Sequence, residues 1–132
     1  PVKGLSERVL SGDHEIIDTF TVQTTTIDQI IRKQSFSKVS LLKIDTEGFD
    51  LECLKGAAEA LENNLIDIIM CEAFFVRYRE GQCYFWDIAS FLQKHNYYFV
   101  NIFDSRETDQ GRLYTANGVW VSPEYADKMN YL

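Results

Sequence analysis

The sequence predicts an α/β domain, a sheet of parallel strands crossed by helices and finished by an antiparallel hairpin. Two short β-type runs, Val39 to Asp45 and Ile66 to Glu72, are separated by apolar residues recurring at helical spacing. Two further runs, Tyr97 to Phe103 and Asn117 to Ser122, follow each other without a helical pattern between them, as antiparallel neighbours do. The chain has 132 residues, within the usual size of one domain and long enough to bury a core. At 45% hydrophobic and 25% charged it is globular in composition, not disordered.

The elements follow in order. Residues 1–19 are mixed and polar, an irregular lead-in with a turn at Ser11-Gly12-Asp13. Phe20 to Thr24 alternates as a strand would, and opens a core predicted over residues 20–122. Thr26 and Gln29 have the spacing of a capping box, and Ile27, Ile30 and Ile31 supply the apolar stripe of a short helix. The strand from Val39 ends at Asp45, and Thr46-Glu47-Gly48 reads as a tight turn. Leu51, Leu54, Ala58, Leu61 and Leu65 mark a returning helix, with a break near Gly56 and a stop at Asn63-Asn64. The run Ile66 to Glu72 is apolar on both faces through its centre, as in a buried parallel strand. Phe85, Ile88, Ala89 and Leu92 give another helix, closed by Asn96 in a left-handed cap. Residues 123–132 are read as a tail.

Charge narrows the partners. Twenty acidic against thirteen basic residues give a net charge of −7, with Arg77 and Arg79 the densest basic group. Nucleic-acid binders draw their affinity from Lys and Arg on phosphates, so no nucleic-acid partner is expected. No apolar run reaches the roughly 18 residues of a membrane span. Three cysteines, Cys53, Cys71 and Cys83, form neither a disulfide framework nor a zinc motif, and point to a reduced, cytoplasmic protein. Cys53 and Cys71 sit in apolar runs, where an inert buried thiol belongs.

The chemistry concentrates at one sheet edge. Parallel strands end on the same side, so Asp45 and Glu72, each closing a strand, share a rim where open α/β sheets bind ligands. Glu47 lies in the adjoining turn, and Lys43 shares a sheet face with Asp45 and is placed to pair with an acid. Taken singly, each acid reads first as a cap (Asp45), a dipole partner (Glu47) or a solvated side chain, ahead of chemistry; the combination marks a candidate site. His95, at a helix end, is read as a cap residue, and His14 as a solvated side chain. Phe74-Phe75, Tyr78 and Tyr84-Phe85-Trp86 are read as packing, with a cleft wall as the alternative.

The segment Lys43-Ile44-Asp45-Thr46-Glu47-Gly48-Phe49-Asp50, followed by Leu54-Lys55-Gly56-Ala57, resembles the signature of the FkbM family of S-adenosylmethionine-dependent methyltransferases, K-I-D-x-E-G-x-E then L-K-G-A. Thr26-Ile27-Asp28, the run ending in Glu72, His95-Asn96-Tyr97 and Asn117 to Val121 extend the similarity from about Thr24 to Ser122. Asp50 stands where the family usually has Glu, in what reads as a solvent-side helix position. The resemblance implies a Rossmann-like methyltransferase sheet and transfer of a methyl group from S-adenosylmethionine to a hydroxyl of a sugar or small natural product. It makes Asp45, Glu47 and Glu72 the catalytic candidates, with Asp45 beside the cofactor's reactive end or the acceptor, and Lys43 and Glu47 the candidates for binding the substrate. Metal ligation stays open, since the spacing gives it no support.

No Gly-rich turn precedes Val39, so the chain reads as the C-terminal portion of such a domain, and alone it is expected neither to hold the cofactor tightly nor to turn over. The competing readings are a non-catalytic interaction or assembly module, self-associating through an open sheet edge, and a metal-assisted hydrolase using the same three acids.

Overall fold

The computed structural model describes Asp18, residues 20–76 and residues 81–131. The turn at Ser11-Gly12-Asp13, His14, Arg77, Tyr78 and Arg79 lie outside the described residues.

Residues 20–26 form no strand, a correction to the alternation read from Phe20 to Thr24. Phe20 and Val22 are exposed, and alternation without a partner strand does not hold a ladder. Helix α1 (Ile27–Gln34) starts at Thr26, whose Oγ1 accepts from Gln29 N at 3.2 Å. The reciprocal half of the capping box is not made, because Gln29 Oε1 accepts from Thr25 Oγ1 instead. Of the predicted stripe, Ile27 and Ile31 pack toward the core while Ile30 is exposed.

Strand β1 (Val39–Ile44) leads through the turn at 45–49 into α2 (Asp50–Lys55), and α3 (Ala58–Glu62) follows. The break falls at Gly56-Ala57, where α1 docks: Asp28 N donates to Gly56 O at 2.9 Å. The Asp28 carboxylate then caps α3, accepting from Glu59 N at 3.0 Å and Ala60 N at 2.9 Å. Asn64, with φ of 52°, turns the chain into β2 (Ile66–Phe74). Helix α4 (Phe85–Lys94) ends through His95 and the left-handed Asn96. Tyr97 is anchored by its hydroxyl, which donates to Ile66 O at 2.6 Å.

Strand β3 (Tyr98–Glu107) and β4 (Leu113–Val121) pair antiparallel and run well beyond the segments predicted for them. The supposed tail contains a further helix, α5 (Pro123–Lys128). Ser122 caps it, accepting from Tyr125 N at 3.2 Å, and Pro123 occupies its first turn, where no N–H is needed.

The sheet order is β1-β2-β4-β3, with β1 parallel to β2 and β4 antiparallel to both of its neighbours. The result is a mixed four-stranded sheet, so β2 is flanked by one parallel and one antiparallel strand. Ile44, Ile69, Cys71, Ala73 and Trp120 turn one face toward Leu54 and Leu61 of α2 and α3 and Ile88 and Leu92 of α4. Full burial of such side chains stabilises each by roughly 1.5–3 kcal/mol, which is why these crossings hold the helices to that face. No helix among the described residues is long and apolar enough to cross a membrane.

Candidate acidic site at the sheet edge

Backbone register builds the site. Ile44 pairs with Cys71, so the next residue of each chain, Asp45 and Glu72, emerges side by side. Glu72 does not close its strand, as the sequence reading had it, because β2 continues to Phe74 against β4. The extra pairing partner is Thr115, whose Oγ1 donates to Ala73 O at 3.1 Å and reaches Glu72 Oε1 at 3.4 Å. Glu47 joins from the turn with φ of 53°, the left-handed region that non-glycine residues seldom occupy. Carboxylate oxygens of Asp45, Glu47 and Glu72 lie within 4.8 Å of one another. Lys43 is brought in as expected, its Nζ donating to Asp45 Oδ2 at 2.8 Å.

The environment separates the three acids. Asp45 and Glu47 are exposed, whereas Glu72 is half-buried with Oε2 buried and lacking a hydrogen-bond partner. Burial pushes the Glu72 carboxyl above its usual range, the charges of Asp45, Glu47 and Asp50 add to that, and the Thr115 hydroxyl opposes it. Asp45 in turn holds the Lys43 ammonium above its ordinary value. Such a trio has the charge and spacing to attract a cation, but exposed acids commonly cluster without one, and no metal role is assigned to it.

Asp50 corrects the sequence reading outright. It is fully buried, not solvent-side, and its Oδ2 accepts from Thr46 N at 3.3 Å and from Thr46 Oγ1 at 2.9 Å. No side chain caps the start of α2, so the capping role weighed for Asp45 is not made, and Asp50 instead ties down the turn entering the helix. The signal was present in the spacing, since an acid four residues after a Thr can bond back to it.

The thiols are secondary. Cys71 and Cys83 are buried, and burial pushes both up, which leaves them inert. Cys53 is only half-buried, less than its apolar run suggested. Phe85 stacks on Phe75 at 5.0 Å and meets Trp120 at 5.7 Å, so these aromatics pack the core, while Phe99, 5.2 Å from Phe85, stays exposed. Trp86 is exposed, and His95 lies against Phe91.

Against this geometry, the family model of the methyltransferase FkbM domain matches residues 2–99. The chain belongs to the FkbM methyltransferase family. The matched span holds β1, the acidic turn and β2, hence all three clustered acids, and stops before β4. The similarity noted in the sequence at Asn117 to Val121 lies beyond it. Comparison with curated proteins and with solved structures gives no match.

Proposed function

We propose that this chain supplies the acidic rim of an S-adenosylmethionine-dependent O-methyltransferase acting on a hydroxyl of a sugar or small natural product. The convergence of Asp45, Glu47 and Glu72 within 4.8 Å, in a member of this family, carries the reading. The sheet is taken as Rossmann-like and continued by further strands at β1, which is terminal among the described strands.

The residues fit a cationic donor and a hydroxyl acceptor. Glu72 Oε2 is a buried oxygen without a donor, and leaving such an atom unpaired is costly. An acceptor hydroxyl supplies the missing hydrogen bond once the exposed Asp45 and Glu47 side chains turn aside. S-adenosylmethionine, when bound, supplies an electrophilic methyl group on a sulfonium. Asp45 and Glu47 place negative charge where that sulfonium is favoured, and Lys43 orients Asp45. Glu72 would take the proton of an acceptor hydroxyl held at its Oε2, and its raised proton affinity suits a general base. The rest of the barrier falls through alignment of oxygen and methyl.

The test is transfer of isotopically labelled methyl from S-adenosylmethionine to a panel of neutral hydroxylated acceptors, using the protein that carries this chain. Labelled ether products, lost in Glu72→Gln with folding intact, are expected. Transfer undiminished in Glu72→Gln would remove the base from the mechanism, and no labelled product with any acceptor would remove the function. Calorimetry on the 132 residues alone is expected to show no micromolar cofactor binding. The runner-up, an assembly module pairing through an open edge, draws on the exposed Leu41 of terminal strand β1.

A further inference from the structure

Asp50 is the one buried acid among the described residues, and both bonds to its Oδ2 come from Thr46, the residue between Asp45 and Glu47. Oδ1 has no partner. The bonds from Thr46 brace a tight turn that the backbone also closes, Phe49 N donating to Thr46 O at 3.2 Å. Glu47 takes φ of 53° and Gly48 φ of 98°. The far side is clamped as well: Cys83 N donates to Gly48 O at 3.0 Å, and a Cβ on Gly48 would meet the Gln82 side chain at 2.6 Å. An acid serving only the helix dipole would stand in water beside the helix start. Asp50 instead spends its hydrogen bonding backward, on the turn that carries the rim.

We propose that Asp50 is the positioning residue of the acidic rim: its buried carboxylate holds the Thr46-Glu47-Gly48 turn that brings Glu47 against Asp45 and Glu72. The proposal deepens the functional reading above by naming what sets Glu47, and it rests on that reading only for its relevance to methyl transfer. Its test needs neither donor nor acceptor, so the two can fail separately.

Glu72 reports the arrangement, because Asp45, Glu47, Asp50 and Lys43 are the charged groups near it, with the Thr115 hydroxyl on its other side. Its side-chain carboxyl is followed by carbon-13 NMR across pH in the wild type, Glu47→Gln, Asp50→Ala and the double variant. In the wild-type background, Glu47→Gln lowers the Glu72 midpoint, since a neighbouring negative charge is removed. In the Asp50→Ala background the same step is expected to be less than half as large, because Glu47 is no longer held in place. Thr46→Val removes the hydroxyl donor and keeps the carboxylate; it should weaken the step in the same sense, and it takes over the test if Asp50→Ala fails to fold. A purely structural Asp50 lowers the melting temperature and leaves the step unchanged. An unchanged step in the variant that folds overturns the proposal, as does a wild-type protein in which Glu47→Gln leaves Glu72 unmoved.

Discussion

Glu72 holds its charge at a cost set by its own burial. Burial and three neighbouring acids raise its folded-state proton affinity above that of an ordinary carboxyl. The unfolded chain therefore gives up this proton first as pH rises. Stability from this group is greatest below the ordinary carboxylate range and is lost as pH climbs from there to the raised folded value; above both, the cost is constant. Glu72→Gln should accordingly raise stability at neutral pH by up to about 1 kcal/mol, a figure kept small because water screens a half-exposed group. Denaturant unfolding at pH 7 checks the sign, and the same variant should lose methyl transfer by at least about 100-fold if the carboxylate is the base. Asp45→Asn separates the roles further, with turnover falling much more than stability; comparable losses would make Asp45 a structural residue. The residue types of the rim were legible from Asp45 just past β1, Glu72 on the neighbouring parallel strand and the turn between β1 and α2, although β2 runs on past Glu72 to Phe74. The burial of Asp50 was not, because the turn it anchors is closed at Gly48 by Gln82 and Cys83 from far along the chain.

Elements meet at short polar joints, and these are where substitutions should bite. Asp28 holds two N–H groups of α3, so Asp28→Ala should cost about 1–2 kcal/mol, as loss of a cap does. Asp28→Asn, which keeps one oxygen acceptor, should cost less; equal losses in thermal unfolding would show that the cap bonds contribute nothing. Gly48→Ala meets two penalties, a left-handed backbone and the Gln82 side chain, and should destabilise by about 1–3 kcal/mol. Periodicity located both helical crossings and the break at Gly56, because there local pattern and tertiary contact agree. It failed at Phe20 to Thr24, where alternation met no neighbouring strand. It also passed over α5, although Ser122-Pro123 is a start signal readable from sequence.

The order β1-β2-β4-β3 leaves β1 and β3 terminal among the described strands, and the two edges differ in physical character. The register of β3 against β4 shifts at three places, the kind of irregularity that discourages an added strand. Strand β1 is short, pairs with β2 in regular register, and exposes Leu41 at 53%. A parallel edge with an open apolar side chain is a place for another strand, whether from the rest of a methyltransferase sheet or from a second copy. Strand order could not be read from the chain, since the intervening helices fix only that β1 and β2 run parallel, not which strand lies beside β2. If the β1 edge is the open one, the 132-residue chain should self-associate as concentration rises, in sedimentation velocity at moderate salt. Leu41→Lys should suppress that association with less than about 0.5 kcal/mol change in stability, because the site is already half in water. A lysine on the outward side of β3, at Phe103, which is exposed at 47%, serves as the control and should leave association intact. Suppression by the β3 variant and not by Leu41→Lys would assign the open edge to β3 and take away the reason for continuing the sheet beyond β1.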